Sequence, residues 1–149
     1  MTNVLKIYFD ACCYSRPFDD LSSEKVRLEA EAILMIQGKA SNGLLKLYSS
    51  RIIDFELDKI KDLHKKVKVS AFYSGLTSEI LKFCSCVEEI ADNLEGYNIK
   101  YMDALHIAFC EKYKIDYMLT TDQILLNSTK RADINTRVIN PLHFIMEVL

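Results

Sequence analysis

Four acidic residues stand where an alternating α/β chain would gather them at one spot. They are Asp10 at the end of VLKIYFD, Glu56 in SSRIIDFEL, Asp103 in YMDALHIA and Asp122 at the end of DYMLTTD. Asp10 and Asp122 close apolar β-type runs, whereas Glu56 and Asp103 lie in helical patterns. Two bare charges ~4 Å apart repel by about 4 kcal/mol at an effective dielectric near 20. A protein keeps such a cluster mainly where a divalent cation fills the gap. Oxygen-only ligands suit Mg²⁺ or Mn²⁺, and no His/Cys set has convincing zinc spacing. The chemistry this points to is phosphodiester hydrolysis. One or two ions would lower the pKa of a bound water, orient it for in-line attack and neutralise charge developing on the phosphate. Asp10, Asp103 and Asp122 are expected as direct or water-mediated ligands. Glu56 would ligate a second ion or orient the attacking water. Thr120 or Thr121 would hydrogen-bond a ligand carboxylate or the scissile phosphate. Each acid taken alone reads as well as a turn, cap or surface residue; four converging on one cleft point to function.

The elements that must bring them together can be read from periodicity and punctuation. Val4 to Phe9 reads as a first strand. Ser22 or Ser23 caps a helix to about Gln37, with Val26, Ala30, Ile33 and Leu34 on one face, ended by Gly38 and Gly43. Leu44 to Tyr48 is a second strand, and Ser49-Ser50 opens a helix from Arg51 to about Leu63. Val67 to Ala71 reads as a short third strand. Thr77 or Ser78 starts a helix to about Leu94, with Ile80, Leu81, Cys84, Val87 and Ile90 inward. Helix from about Lys100 to Tyr113, strand at Asp116 to Thr120, short helix at Gln123 to Asn127 and strand at Thr136 to Ile139 complete the pattern, and Pro141 opens a last amphipathic turn or two. This alternation predicts a parallel sheet covered on both faces. Right-handed crossovers place the first and fourth strands side by side in its middle. Sites in such sheets form beyond the carboxyl ends of the strands at the switch point, where Asp10 and Asp122 fall.

The 149 residues suit a single domain, 1–149, with no linker, repeat or low-complexity tract. The net charge of -2 excludes binding of nucleic acid by bulk charge, so any such contact must be local or bridged by metal. No apolar run reaches the roughly 18 residues needed to span a bilayer, and Asp10 interrupts the N-terminal run before it resembles a signal peptide. An odd count of five cysteines, all within structured segments, fits reduced thiols and a cytoplasmic protein.

At its acidic residues the chain resembles the PIN-domain nucleases, which include the VapC-like toxins of bacterial and archaeal toxin–antitoxin pairs. The similarity runs over nearly the whole chain. It is most specific in IYFDACCYSRPFDD and in the pairing of MDALHIAFC with DYMLTTD; SSRIIDFEL places Glu56 at the family's helix-borne acid, though Asp54 and Asp58 offer alternative registers. The resemblance implies a three-layer α/β/α sandwich around a parallel sheet of about four or five strands. It also implies Mg²⁺- or Mn²⁺-dependent cleavage of RNA at Asp10, Glu56, Asp103 and Asp122. It allows for a cognate antitoxin partner and for a homodimer, whose apolar surface would lie on helices around Ile80 to Ile90.

Other residues invite weaker assignments. Arg16 would hold a phosphate through its planar fork or pair with Asp19, Asp20 or Glu29. Lys59, Lys61, Lys65, Lys66 and Lys68 with His64 form either an RNA-backbone track or, more commonly, a solvated helix face. His106, one turn after Asp103, is a candidate general base but reads better as a buried histidine satisfied by hydrogen bonds. Tyr14 and Phe18 would stack on a base or anchor the loop, and one of Cys12 and Cys13 would pack beneath the site. Two alternatives remain beside the nuclease. One is a catalytically weak RNA-binding or regulatory module. The other, a phosphohydrolase of the haloacid-dehalogenase type, needs a second Asp where Cys12 stands.

Overall fold

The computed structural model describes residues 4–76 and 78–149. Its centre is a parallel sheet of five strands, β1 (Leu5–Phe9), β2 (Leu45–Ser50), β3 (Glu79–Leu81), β4 (Tyr117–Leu119) and β5 (Arg137–Ile139), in the order β3-β2-β1-β4-β5. Ile7, Tyr8 and Phe9 are buried in succession. Neighbouring strand residues point to opposite faces, so such a run requires cover on both sides. The helices supply it: α1 (Ala11–Ser15), α2 (Glu24–Ser41), α3 (Arg51–Asp58), α4 (Leu63–Gly75), α5 (Ser85–Leu94), α6 (Tyr101–Lys112), α7 (Gln123–Thr129) and α8 (Pro141–Val148). α2 packs with α8, and α5 lies along α6. Ala104 through Cys110 of α6 are all buried, which makes it a core helix. The three-layer arrangement with a parallel sheet is the one the sequence led us to expect.

Register positions the site. Ile7, Tyr8 and Phe9 pair with Tyr117, Met118 and Leu119, and the Asp10 N–H extends the ladder to Leu119 O at 2.9 Å. The exits of β1 and β4 therefore adjoin, as expected of the first and fourth strands. Each exit carries an acid that caps the following helix. Asp10 accepts from Ala11 N at 2.8 Å, and Asp122 accepts from Ile124 N and Leu125 N at 3.0 and 3.3 Å.

Several elements differ from the expectation. Residues 67–71 are not a strand but lie within α4. Val67, Val69 and Ala71 alternate as a strand would, yet only Val69 is buried, and Val67 is 69% exposed. A competing helical stripe of Val69, Phe72, Tyr73 and Leu76 packs on the core. Asp62 settles the start by accepting from His64 N and Lys65 N at 3.0 and 3.2 Å, and this second cap divides the expected helix 51–63 after Asp58. The third strand instead forms at Glu79–Leu81 by pairing with Tyr48–Ser50 of β2. Ile80 and Leu81 thus leave the expected 78–94 helix, whose start at Thr77 lies outside the described residues. Their spacing suits a helix as well as a strand; pairing to the open edge of β2 decides. The helix itself begins at Ser85, with Val87, Ala91 and Leu94 buried. α2 runs through Gly38 to Ser41, and Ile36 rather than Leu34 completes its buried stripe. The stretch after Asp10 is a helical turn followed by a 3-10 turn, Arg16–Phe18, not an open loop.

The helical reading of 63–75 has a direct test. Val69→Ala removes two buried carbons and is expected to cost about 2 kcal/mol. Val67→Ala should stay within roughly 0.5 kcal/mol of the parent. Urea denaturation giving equal losses at both positions would restore the strand.

Candidate metal centre

The centre is built on the adjoining exits of β1 and β4. Asp10 is buried, and its Oδ2 accepts from Thr120 Oγ1 at 2.7 Å. Thr120 Oγ1 in turn accepts from Asp122 N at 3.2 Å, so one hydroxyl fixes both strand ends. Cys12 lies directly under these groups, its Sγ 3.6 Å from Asp10 Oδ2 and 3.5 Å from Thr120 Oγ1. Cys13 is buried and donates to Leu119 O. Both thiols support the rim from below.

Glu56 enters from α3. Its Oε1 meets Nε2 of His106, which α6 carries in from the Tyr8 face of the sheet. His106 Nε2 also lies 3.8 Å from Asp10 Oδ1. On its other side, His106 Nδ1 meets the Tyr8 hydroxyl at 2.6 Å, and that hydroxyl meets Ser50 Oγ at 2.7 Å. Burial pushes the Tyr8 phenol well above its ordinary pKa and keeps it protonated. Burial alone would push His106 down. The hydrogen bond to Glu56 and the charges of Asp10, Glu56 and Asp103 outweigh it, leaving the imidazole pKa raised.

Asp103 opens α6, where the helix N-terminus favours a carboxylate. It shares a cleft of about 270 Å³ with Asp122, Lys100, Asn98, Glu95 and Ser128. Burial raises the Asp103 carboxyl to about 6, with the charges of Asp10, Asp122 and Glu56 adding to the rise and His106 opposing it. The fold therefore brings all four acids to one rim, in two grades. Ligand atoms of Asp10, Glu56 and His106 lie within 4.8 Å of one another. Asp103 and Asp122 border this group from the adjacent cleft.

The donor set suits a divalent cation. Asp10 and Glu56 are acceptor groups with lone pairs beyond those already engaged, and Asp103, raised by burial and then by the negative charges of its neighbours, lies beside them. Asp10 and Glu56 bring carboxylate oxygens close enough to share an ion, and Asp103 and Asp122 stand beside them.

The neighbouring groups are engaged elsewhere. Arg16 donates to Asp19 Oδ2 and to Thr121 Oγ1, both at 2.9 Å. Its Nε stands 3.4 Å from Oε1 of the buried Glu29. The other oxygen of Glu29 accepts from Asn140 Nδ2 at 2.6 Å. Lys65 pairs with Asp19, Lys66 pairs with Asp58 at 2.9 Å, and Lys59 sits 4.2 Å above the Phe55 ring. Two of the five lysines of the basic run thus meet carboxylates, and a third lies over an aromatic ring. Tyr14 is fully buried, edge-on to Phe9 and Tyr73, and Phe18 packs on Phe72, so both rings anchor the turn.

Among solved structures, the chain is similar to VapBC2 from Rickettsia felis, determined bound to a DNA fragment from their promoter. The match has a TM-score of 0.58 at 18% identity and covers 90% of this chain and 98% of that one. The fold is PIN-like. No family model matches the chain, and no curated protein matches it. At this identity the likeness concerns the fold, and the chemistry rests on the site.

Two features of the centre were not anticipated from sequence. One is the partnership of His106 with Glu56. Its signal was the three-residue spacing from Asp103, which puts both side chains on one side of α6. The other is the burial of Glu29, which the sequence offers only as one of the carboxylates Arg16 would pair with; it interrupts the stripe Val26, Ile33, Ile36, and a charge on such a stripe implies a buried partner.

The Asp103 shift sets a pH dependence for the metal-free protein. The native state holds this proton up to about pH 6, whereas the unfolded chain releases it near its ordinary value of 3.8. Between these values the native state binds more protons, so stability must fall as pH rises. Asp103→Asn is expected to remove that part of the slope and to raise Tm at neutral pH in EDTA. Melting curves from pH 4 to 7.5 check both; a lower Tm for the variant at neutral pH would contradict the assignment.

Proposed function

We propose that this protein is a metal-dependent endoribonuclease that hydrolyses RNA phosphodiester bonds with Mg²⁺ or Mn²⁺. The observation that carries the reading is the approach of Asp10 and Glu56, whose ligand atoms lie within 4.8 Å of one another, beside Asp103 and Asp122, at the carboxyl rim of a parallel sheet. Four acids with so little compensating charge favour a bound cation over a purely structural role. RNA as substrate comes from the PIN-domain resemblance, as does the choice of ions.

In this reading Asp10, Asp103 and Asp122 hold the ion, and Glu56 ligates it or orients the attacking water. The cation supplies a lowered pKa for that water and neutralises charge developing on the phosphate. Thr120 keeps the Asp10 carboxylate aimed at the rim. Thr121, held by Arg16, offers its hydroxyl to the substrate. Arg16 acts through the turn it pins more than through a free guanidinium.

The likeness to VapBC2 supports a role as the toxin of a two-gene pair, with an antitoxin protein as partner; a homodimer as the assembled state comes from the PIN-domain resemblance. All five cysteines are free, and among the described residues no helix is long and apolar enough to cross a membrane; both fit a protein acting in the cytoplasm.

The deciding experiment is cleavage of labelled single-stranded RNA with Mg²⁺ or Mn²⁺, alongside EDTA and Asp103→Asn. Cleavage that EDTA abolishes and the variant lowers by about a hundredfold or more is expected. No cleavage across varied RNAs, with no metal-dependent thermal shift, would replace the nuclease by an RNA-binding module.

A further inference from the structure

We propose that His106 is a positioning residue. Its Nε2–H holds the Glu56 carboxylate at the rim, and the Tyr8 and Ser50 hydroxyls behind it fix the imidazole. The inference rests on the metal-nuclease reading above, in which Glu56 serves the ion or its water.

The proton bookkeeping leaves little freedom. A carboxylate only accepts, so the contact between Glu56 Oε1 and His106 Nε2 requires a proton on Nε2. In the neutral ring, Nδ1 then accepts from the Tyr8 hydroxyl at 2.6 Å, and Tyr8 accepts from Ser50 at 2.7 Å. Donation runs one way, from Ser50 through Tyr8 and His106 to Glu56. In the charged ring, Nδ1 donates to Tyr8, and Tyr8 passes its own proton to Ser50. Glu56 is held in both states. With Nε2 carrying a proton, the imidazole is not a metal ligand, and the centre presents oxygen donors alone.

Position argues for the same role. Ser50, Tyr8 and His106 are each 0% exposed, whereas the Glu56 side chain is 25% exposed. The chain of hydroxyls and ring thus runs from the interior to a carboxylate at the surface. Burying three polar groups in a seam between sheet and helix is costly unless every one is satisfied. Here both nitrogens are spent on side chains, and the last of them is the acid that faces the centre. Glutamate has three side-chain torsions, and without this anchor Glu56 would sample several of them. Partners that orient ligating groups in this way typically change metal affinity by ten- to a hundredfold.

The test is Mn²⁺ binding to the full chain by calorimetry, with circular dichroism to confirm folding. Glu56→Gln and His106→Leu are expected to weaken Mn²⁺ by about ten- to a hundredfold. His106→Gln, whose amide N–H reaches about the place of Nε2, should recover most of that loss, and Tyr8→Phe should fall between it and the parent. Recovery by glutamine is what a purely structural role would not produce. If Glu56→Gln weakens binding but folded His106→Leu matches the parent, the inference fails and the metal reading stands. If the parent binds no Mn²⁺, both fail. Should His106→Leu not fold, unchanged Mn²⁺ affinity in folded Tyr8→Phe overturns the inference.

Discussion

The parallel pairing of β1 with β4 is the constraint on which the rest depends. Residues 110 positions apart meet when Thr120 Oγ1 donates to Asp10 Oδ2, and nothing local in either segment could bring them together. Once the pair forms, the two acidic exits must lie at one edge, α1 and α7 must start from them, and α6 must cross close enough for His106 to reach Tyr8 of β1. A shift of one residue in that register would turn Tyr8 to the other face and separate it from His106. The hydroxyl of Thr120 therefore locks the alignment as much as it orients an acid.

Repulsion at the rim is contained by several devices of different kinds. Asp10 and Asp122 each give an oxygen to backbone N–H groups at a helix start, where the backbone dipoles favour negative charge. Glu56 receives a proton donor from the interior. Asp103 has its pKa raised first by burial and then by the charges of Asp10, Asp122 and Glu56. Beneath the neighbouring turn a second buried acid, Glu29, is treated differently. It meets Arg16 and Asn140 and so ties α2 to the turn after Asp10 and to the start of α8. Glu29 is paired inside the scaffold, by a hydrogen bond from Asn140 and an ion pair with Arg16, whereas Glu56, Asp103 and Asp122 are left partly open at the surface. That contrast separates scaffold from site more clearly than burial alone.

Much of this was legible in the sequence because local and long-range signals agreed. The β1 and β4 runs, the acids that end them and the strongly apolar α6 all read correctly, and the switch-point rule then placed Asp10 beside Asp122. Where the reading failed, two periodicities competed. Val67, Val69 and Ala71 alternate like a strand while Val69, Phe72, Tyr73 and Leu76 repeat like a helix, and Asp62 as a cap decided for the helix. Ile80 and Leu81 join a strand only because β2 offers an edge, which no local pattern reveals. The Ser50–Tyr8–His106 series was illegible for a related reason. Its members come from three elements, and a hydroxyl at the base of a strand carries no sign in sequence of what lies across the sheet.

The depth of the β1–β4 pairing has a consequence for the order in which the protein comes into being. The central strand of the sheet is separated from its partner β4 by the whole run from α1 to α6, and Asn140, which completes the contact with Glu29, lies farther along the chain than both. Pairings this distant must wait for closure of a long loop. The acidic rim is therefore absent until that loop, 110 positions from Asp10 to Thr120, has closed. Until then the acids lie on separate segments, and the rim is a property of the closed fold that no shorter stretch of the chain carries.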